Sequence, residues 1–262
     1  MISIDRSTGA GSSIATLSDP GVSLSFSDSE GQLYGSFTIR RPPLLARSRL
    51  ATVDLATGTV TNEIDFIVDA LTGAEYIVAG MGFSADGTLY GVEARISALV
   101  TIDTATAKAT PVGSGLGFQV RNYGGTVADG VFYWLNGNST LGLTLYTVEL
   151  ATGVASEVGD TGVFDNGVGL ALDGNGALVA VINHTLYEID RTSGWAIPVG
   201  NTGFTPLSSL EFVDALHTVC PCDASWRNHG QYVSCVSSAV RALSPGERGV
   251  LVAQAAQTAC GK

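Results

Sequence analysis

Positive charge is scarce in this sequence: 13 lysines and arginines stand against 24 aspartates and glutamates over 262 residues, a formal net charge of −11. An acidic surface repels phosphate, and no stripe of Lys and Arg with interleaved aromatics is present, so composition argues against a nucleic-acid partner. Charged residues of both signs reach only 14% while apolar residues make up 45%, a composition that buries a core and excludes a disordered chain. No apolar run attains the roughly eighteen residues of a membrane-spanning helix. Cysteine is absent before position 220. P-loop, dinucleotide-binding fingerprint and zinc-protease motifs are all missing. Neither His184 nor His217 has a G-x-S-x-G nucleophile elbow to serve.

Glycine is abundant, at 33 residues, and it recurs at fixed places. SIDRSTG (3–9), TVDLATG (52–58), TVELATG (147–153) and EIDRTSG (188–194) share one form, and TIDTATA (101–107) keeps it without the glycine. Their acidic positions, Asp5, Asp54, Asp103, Glu149 and Asp190, are spaced by 49, 49, 46 and 41 residues. Such a period matches propeller blades of about 40 to 50 residues. Each repeat reads as four strands. An apolar run such as GMGF (80–83) or GLAL (169–172) is followed by a turn such as SADG (84–87), VADG (127–130) or DGNG (173–176). An alternating strand comes next, then the acidic strand, then one ending in Val-Gly. Asp-Gly and Asn-Gly between alternating runs predict tight hairpins. The first acidic strand lacks inner strands before it, and the last inner pair, LSSLEFVDALHTV (207–219), lacks an acidic strand after it. The sequence therefore predicts an all-β, five-bladed β-propeller over residues 1–219, with residues 1–16 completing the blade begun at 205, which removes exposed sheet edges.

LYTVELATG (145–153), LYEIDRTSG (186–194), VGDTG (158–162) and VGNTG (199–203) resemble secreted bacterial β-propellers built from LYxID-xxTG and VGxTG repeats. The resemblance covers about four-fifths of the chain. It implies the fold and no particular activity, because propellers host unrelated chemistries.

From Cys220 the composition changes, and residues 220–262 form a separate tail. Tyr232, Val233, Val236, Ala239, Val240 and Leu243 share one helical face. Ser244, Pro245 and Glu247 make a capping signature for a second helix from about 245 to 258, so a small helical hairpin is expected. Cys220, Cys222, Cys235 and Cys260 suit two disulfides among three connectivities, a Cys235 link near Cys260 tying helix to helix. A zinc set completed by His217 and His229 is the alternative, although Cys220 and Cys222 enclose a single residue where zinc pairs usually enclose two or four. HGQYVSCV (229–236) with AAQTACGK (255–262) resembles a cysteine-rich tail appended to exported bacterial proteins. Disulfides point to an extracellular or periplasmic setting. MISIDRSTG carries no leader features, so a signal peptide is expected to have been removed or the start to be truncated. Ring closure makes a monomer the expected state. The tail carries a net +2, leaving −13 on the propeller, a balance that favours cations over polyanions.

Aligning the inner strands on Phe26, Phe83, Leu172 and Phe212 places Ser25, Gly82, Ala171 and Glu211 at one position. A carboxylate stands where the other blades have a small residue. It either acts in the axial channel or pairs with a neighbouring backbone amide. The stretches leading into the inner strands add Glu75, Arg121, Asn122, Tyr123, Asp165 and Asn166, and carboxylates and amides round one axis are ligands that calcium prefers. Glu211 with Asn122, Asp165 and Asn166 is similar to the Glu/Asn/Asp calcium centre of gluconolactonase and paraoxonase propellers, which have six blades. That resemblance implies an ion polarising a lactone or phosphotriester oxygen, with a mouth residue such as Asp165 as base. As turn residues, Asn and Asp equally serve structure, and the five acidic anchors are expected to accept hydrogen bonds from amides of their own turns. RRPPLLARSR (40–49) is expected as an extended loop, solvated or partner-binding. Phe132, Tyr133 and Trp134 are expected to pack between blades or stack on sugar. Two functions follow from the sequence: an exported propeller that binds a small molecule or protein at one face, or a calcium-dependent hydrolase of lactones, esters or phosphotriesters at the channel.

Overall fold

The computed structural model describes residues 1–14, 16–17, 23–39, 46–121, 124–166, 168–205, 207, 209–213, 220, 226–242, 248–249, 252–253, 255–256 and 260. Four antiparallel four-stranded meanders form the bulk of it. Blade I comprises β3 (Ser23–Ser27), β4 (Gln32–Ile39), β5 (Arg47–Val53) and β6 (Val60–Phe66). Blade II comprises β8 (Val78–Phe83), β9 (Leu89–Glu93), β10 (Ala98–Ile102) and β11 (Lys108–Val112), with β7 (Val68–Asp69) added parallel to its outer strand. Blade III comprises β12 (Gly124–Ala128), β13 (Val131–Asn138), β14 (Gly142–Glu149) and β15 (Ala155–Asp160). Blade IV comprises β16 (Val168–Leu172), β17 (Leu178–Ile182), β18 (Thr185–Ile189) and β19 (Ala196–Asn201). The inner strands pack side by side in the order β3, β8, β12, β16. At the β12–β13 hairpin Asp129 and Gly130 have φ of 50° and 76°, the paired left-handed geometry of a two-residue turn that suits twisted strands.

Apolar faces of adjacent blades form the core. Phe132, Trp134, Leu135, Leu143 and Leu145 of blade III are fully buried, and Trp134 packs with Ala79, Val92 and Leu99 of blade II. Phe132 and Trp134 therefore belong to the interblade core and offer no face for a sugar.

The Val-Gly and Thr-Gly signatures turn out to be two halves of one contact. Opposite Leu145-Tyr146 and Leu186-Tyr187 the outer strands are irregular in register, which bends the strand end towards the next blade. There Gly159 lies against the Ser193-Gly194 turn of blade IV, and a Cβ on it would sit 2.1 Å from the Ser193 carbonyl oxygen. Gly113 meets Thr152 of blade III in the same way. Only glycine allows backbones this close.

Among the described residues β1 (Ile2–Ile4) and β2 (Gly11–Ser13) pair only with each other, yet they stand to blade IV as β18 and β19 stand to blade III. Gly200 lies against Thr8-Gly9 as Gly159 lies against Ser193-Gly194. The Gly11 N–H donates to the Thr202 carbonyl at 2.9 Å, as the Ala196 N–H donates to Thr161 at 3.1 Å. Between β16 and β3 runs the extended segment 209–213: Gly169 touches the backbone of Ser209 and Leu210, and the Leu24 N–H donates to Ser209 Oγ at 2.9 Å. The count of complete blades is four among the described residues, against the five expected. The fifth position holds a two-stranded sheet and a single extended segment, and residues 214–219, expected to be its second strand, lie outside the described residues.

In the tail, α1 (His229–Ala239) is capped by Asn228, whose side chain accepts the Gln231 N–H, and ends in a 3-10 turn, Val240–Ala242. Residues 248–249, 252–253 and 255–256 are helical, within the stretch expected for a second helix; Ser244, Pro245 and Glu247 lie outside the described residues. Cys235 is bonded to Cys220, which corrects the expected link towards Cys260 and leaves neither sulfur for zinc. Cys260 is also disulfide-bonded, and Cys222 lies outside the described residues. Helix is tied to helix by His229 instead, whose ring nitrogens lie 2.7 and 3.1 Å from the carbonyl oxygens of Cys260 and Ala256.

Candidate functional site

Each inner strand runs from a linker mouth, where the chain arrives from the previous blade, to a turn mouth, where it folds back into the second strand. At the turn mouth the inner strands enclose a cavity of about 350 Å³. Its lining residues are of three kinds: acidic Asp28, Asp173 and Glu211, hydroxylic Ser25, Ser27, Ser29, Ser84 and Thr126, and aromatic Phe26, Phe83 and Phe212. Ser25 and Glu211, which share the aligned position, both reach it.

The inner edges of these strands face the axis without a backbone partner, and side chains from the next inner strand satisfy them. Ser23 Oγ accepts the Met81 N–H at 2.9 Å, and Ser209 accepts that of Leu24. The Phe26 and Phe212 backbone N–H groups act on the Glu211 carboxyl in the sense that favours its charge. Burial nevertheless pushes the Glu211 carboxyl well above the usual range, and the charge of Asp28 adds to the effect, the two amides offsetting only part. Asp173 behaves oppositely. Burial disfavours its charge, but the Ala177 N–H, the Arg6 guanidinium at 2.7 Å and the Asn175 N–H hold it below the usual range.

Two hydroxyls in the wall have no such partner. Ser25 is 1% exposed and Thr126 5%, and among the described residues neither hydroxyl has a hydrogen-bond partner. Both residues line the cavity.

The other expected site residues sit elsewhere. Asp165 and Asn166 precede β16, at the linker mouth. The Asn166 side chain accepts the Ser139 N–H and donates to Ser139 Oγ, both at 3.1 Å, and Asp165 accepts the Asn166 N–H. Between them and the cavity lies the length of β16, about 15 Å at roughly 3.3 Å per residue. The structure thus does not bring Glu211 together with Asp165 and Asn166; Asn122, like Tyr123, lies outside the described residues. Among the described residues no three His, Cys, Asp or Glu side chains are grouped so as to hold a metal. Glu75 pairs with Arg47, which stacks 3.7 Å over Phe66, while residues 40–45 of the basic loop lie outside the described residues.

The acidic anchors close their own turns. Asp5 accepts the N–H and hydroxyl groups of Ser7 and Thr8, which hold its carboxyl at about 2. Asp54, Asp103 and Asp190 accept amides of their own turns and are lowered by them, whereas Glu149, expected to accept amides as well, accepts the Thr152 hydroxyl at 2.5 Å. An unexpected sixth case is Asp69 in DALTG (69–73), which accepts from Tyr76 and Thr72 and is also lowered to about 2. Also unexpected are the arginines that follow two anchors. Arg191 reaches Asp129 at 2.6 Å and Tyr133, and Arg6 reaches Asp173 and Glu188, both at 2.7 Å. Each clasps the first hairpin of the preceding blade, a relation legible in the IDR of two repeats.

No protein-family model matches the chain, and no curated protein matches it. Among solved structures, a chain of a nidogen/laminin complex is similar over 82% of this chain and 78% of its own length, at 12% identity and a TM-score of 0.53. A Bacteroides thetaiotaomicron protein of unknown function is similar over 74% of this chain, at 13% identity and a TM-score of 0.52. Virginiamycin B lyase from Staphylococcus aureus aligns over 68% of this chain, at 14% identity and a TM-score of 0.43. The present chain spans 54% of the length of each of the latter two. At such identities the likeness is one of fold, a β-propeller arrangement.

Proposed function

We propose that this chain is an exported five-bladed β-propeller that acts as a binding module, receiving its ligand or partner at the turn mouth of the hub. The observation that carries the reading is the hub cavity itself, polar, open and lined by Ser25 and Thr126, two buried residues whose hydroxyls have no partner among the described residues, since buried polar groups left unpaired are costly unless water or a ligand satisfies them. Cavities of this size with a few convergent polar groups are the usual form of a small-ligand site. The fifth blade is the one begun at 205 and completed by residues 1–16, of which segment 209–213, β1 and β2 are described. The Cys220–Cys235 disulfide and the absence of a long apolar helix among the described residues are compatible with an extracellular or periplasmic protein.

A calcium-dependent hydrolase of lactones, esters or phosphotriesters is the competing reading, favoured by the raised Glu211 carboxyl, since perturbed acids gather at catalytic sites. One experiment separates them. A fragment library is screened by ligand-observed NMR against wild type and Ser25→Leu, and hydrolysis of a lactone, a p-nitrophenyl ester and a phosphotriester is followed with calcium and with EGTA. The expected result is fragments that bind wild type and not Ser25→Leu, with no turnover. Calcium-dependent turnover lost in Glu211→Gln would establish the hydrolase instead.

A further inference from the structure

The hub cavity is layered, and an inference about its ligand rests on the binding reading above. The inner strands run towards the turn mouth, so the later of two neighbouring residues lies nearer the opening. Aligned across the strands, Phe26, Phe83, Val127, Leu172 and Phe212 occupy one place, and all five line the cavity. The place before it holds Ser25, Gly82, Thr126, Ala171 and Glu211, of which Ser25, Thr126 and Glu211 line the cavity. Packing of β8 on β12 agrees with this alignment: a Cβ on Gly82 would sit 2.4 Å from the Val127 nitrogen and 3.0 Å from the Thr126 carbonyl carbon. An apolar collar of five residues therefore surrounds a polar floor supplied by β3, β12 and segment 209–213. Exposure follows the same order: Phe212 of the collar is 42% exposed, whereas Ser25 and Thr126 of the floor are 1% and 5%.

Burial takes the Ser25 and Thr126 hydroxyls out of bulk water, and neither has a partner among the described residues. Each can donate one hydrogen bond and accept others, so a ligand that answers both carries donors and acceptors, as a hydroxyl does. A hydroxyl also pairs with a carboxyl in either protonation state, so the match holds whether Glu211 is charged or neutral. Charge on the ligand has no comparable support. An anion would face three acidic residues, Asp28, Asp173 and Glu211. A cation would find Asp173 already held by Arg6 and Glu211 where burial disfavours its charge. The collar suits the C–H face of a ring, apolar surface that gains by leaving water, and its phenylalanines offer broad faces to receive it.

We propose that the hub cavity binds an uncharged polyhydroxylated ring, a pyranose that is free or ends a glycan, with its hydroxyls on Ser25, Thr126 and Glu211 and its C–H face on the phenylalanine collar. The cavity, of about 350 Å³, falls within the range of about 300–1,000 Å³ that small-ligand sites occupy.

The test is ligand-observed NMR titration of the full chain with glucose, galactose and mannose, their methyl glycosides, cyclohexanol, n-butylammonium and acetate. At least one sugar is expected to bind saturably, with affinity weakened several-fold in Ser25→Ala/Thr126→Val and in Phe212→Ala. Cyclohexanol, which has a ring and a single hydroxyl, is expected to bind at least tenfold more weakly. Equal binding of the methyl glycoside identifies the end of a glycan as sufficient, and binding of the free sugar alone identifies a monosaccharide. Unchanged near-ultraviolet circular dichroism confirms that the variants fold. Because neither hydroxyl has a partner to lose among the described residues, the melting temperature of Ser25→Ala/Thr126→Val should match or exceed that of wild type. A lower one would show that the hydroxyls serve the fold and would overturn the proposal. Sugars that bind wild type and variants alike overturn it too, as does cyclohexanol, n-butylammonium or acetate binding as tightly as the best sugar. If no sugar binds while NMR fragments still depend on Ser25, the ligand class is wrong and the binding reading stands; if those fragments fail as well, both fall.

Discussion

Blades III and IV and the closing position after blade IV use the same three devices and differ in how they are held. In both, a glycine of one outer strand meets a turn of the next unit, a threonine carbonyl accepts an N–H at the start of the next outer strand, and an arginine clasps the preceding hairpin. Blade IV adds an unbroken ladder from β16 to β19. At the closing position, among the described residues, β1 and β2 form a ladder with each other alone, and segment 209–213 is attached by Ser209 and Glu211 side chains. Among the described residues the side chains of Ser209 and Glu211 thus join segment 209–213 to β3, and the hub cavity lies beside that junction.

The largest expected effect separates the two kinds of junction. Gly159→Ala and Gly200→Ala each drive a Cβ into a facing carbonyl, an overpacking that costs about 1–3 kcal/mol. For Gly159→Ala the whole chain shares the strain, and the expected outcome is a lower midpoint of cooperative unfolding in urea. For Gly200→Ala the N-terminal strands lift away first, so limited proteolysis should cut within residues 1–17 before any global transition. Identical behaviour of the two variants would erase the distinction.

The clasps come next. Arg6→Ala strands Asp173, whose side chain is 5% exposed, while Arg191→Ala strands Asp129, at 69%. Leaving a buried acceptor unpaired costs about 1–3 kcal/mol, whereas an exposed pair is worth about 0–1 kcal/mol. Chemical denaturation should therefore show Arg6→Ala as the more damaging change, although both pairs have similar lengths.

The smallest effect has the opposite sign. Because the folded-state pKa of Glu211 lies above its ordinary value, the stabilising effect of its neutral form is complete below the ordinary carboxyl range and is lost as pH rises through the folded value. Glu211→Gln keeps an acceptor for the Phe26 N–H without the charge, so its melting temperature should exceed that of wild type by a few degrees at pH 7 and converge with it near pH 4. Asp5 and Asp69, held at about 2, act in the reverse sense: their contribution is present above the ordinary carboxyl range and is lost as pH falls from about 4 towards 2.

Much of this architecture is legible in the sequence because its signals are local. Asp-Gly at 129–130 demands positive φ, the anchors at Asp5, Asp54 and Asp190 reach amides two or three residues on, and the apolar alternation of β13 and β14 sets the faces of blade III. Glu211 stands out because a carboxylate occupies a position that Ser25, Gly82 and Ala171 fill in other strands. What the sequence hides is mostly long-range. Aligning strands does not reveal that Asp165 and Asn166 belong to the other mouth from Glu211, a separation set by the length of β16. DALTG is disguised because no alternating LY strand precedes it. Ser25 looks like a small residue at a crowded hub, and only the missing partner of its hydroxyl makes it a candidate contact. Cys220–Cys235 is one of three equivalent pairings until the chain is folded.

The seating of segment 209–213 against β3 closes the ring and builds one wall of the cavity, and residue-resolved amide hydrogen exchange tests it most directly. The amides of Leu24 and Phe26, capped by Ser209 and Glu211, should be protected as strongly as that of Met81, capped by Ser23 within the complete blades. Rapid exchange at Leu24 and Phe26 beside a protected Met81 would show that the segment does not seat and would contradict the account.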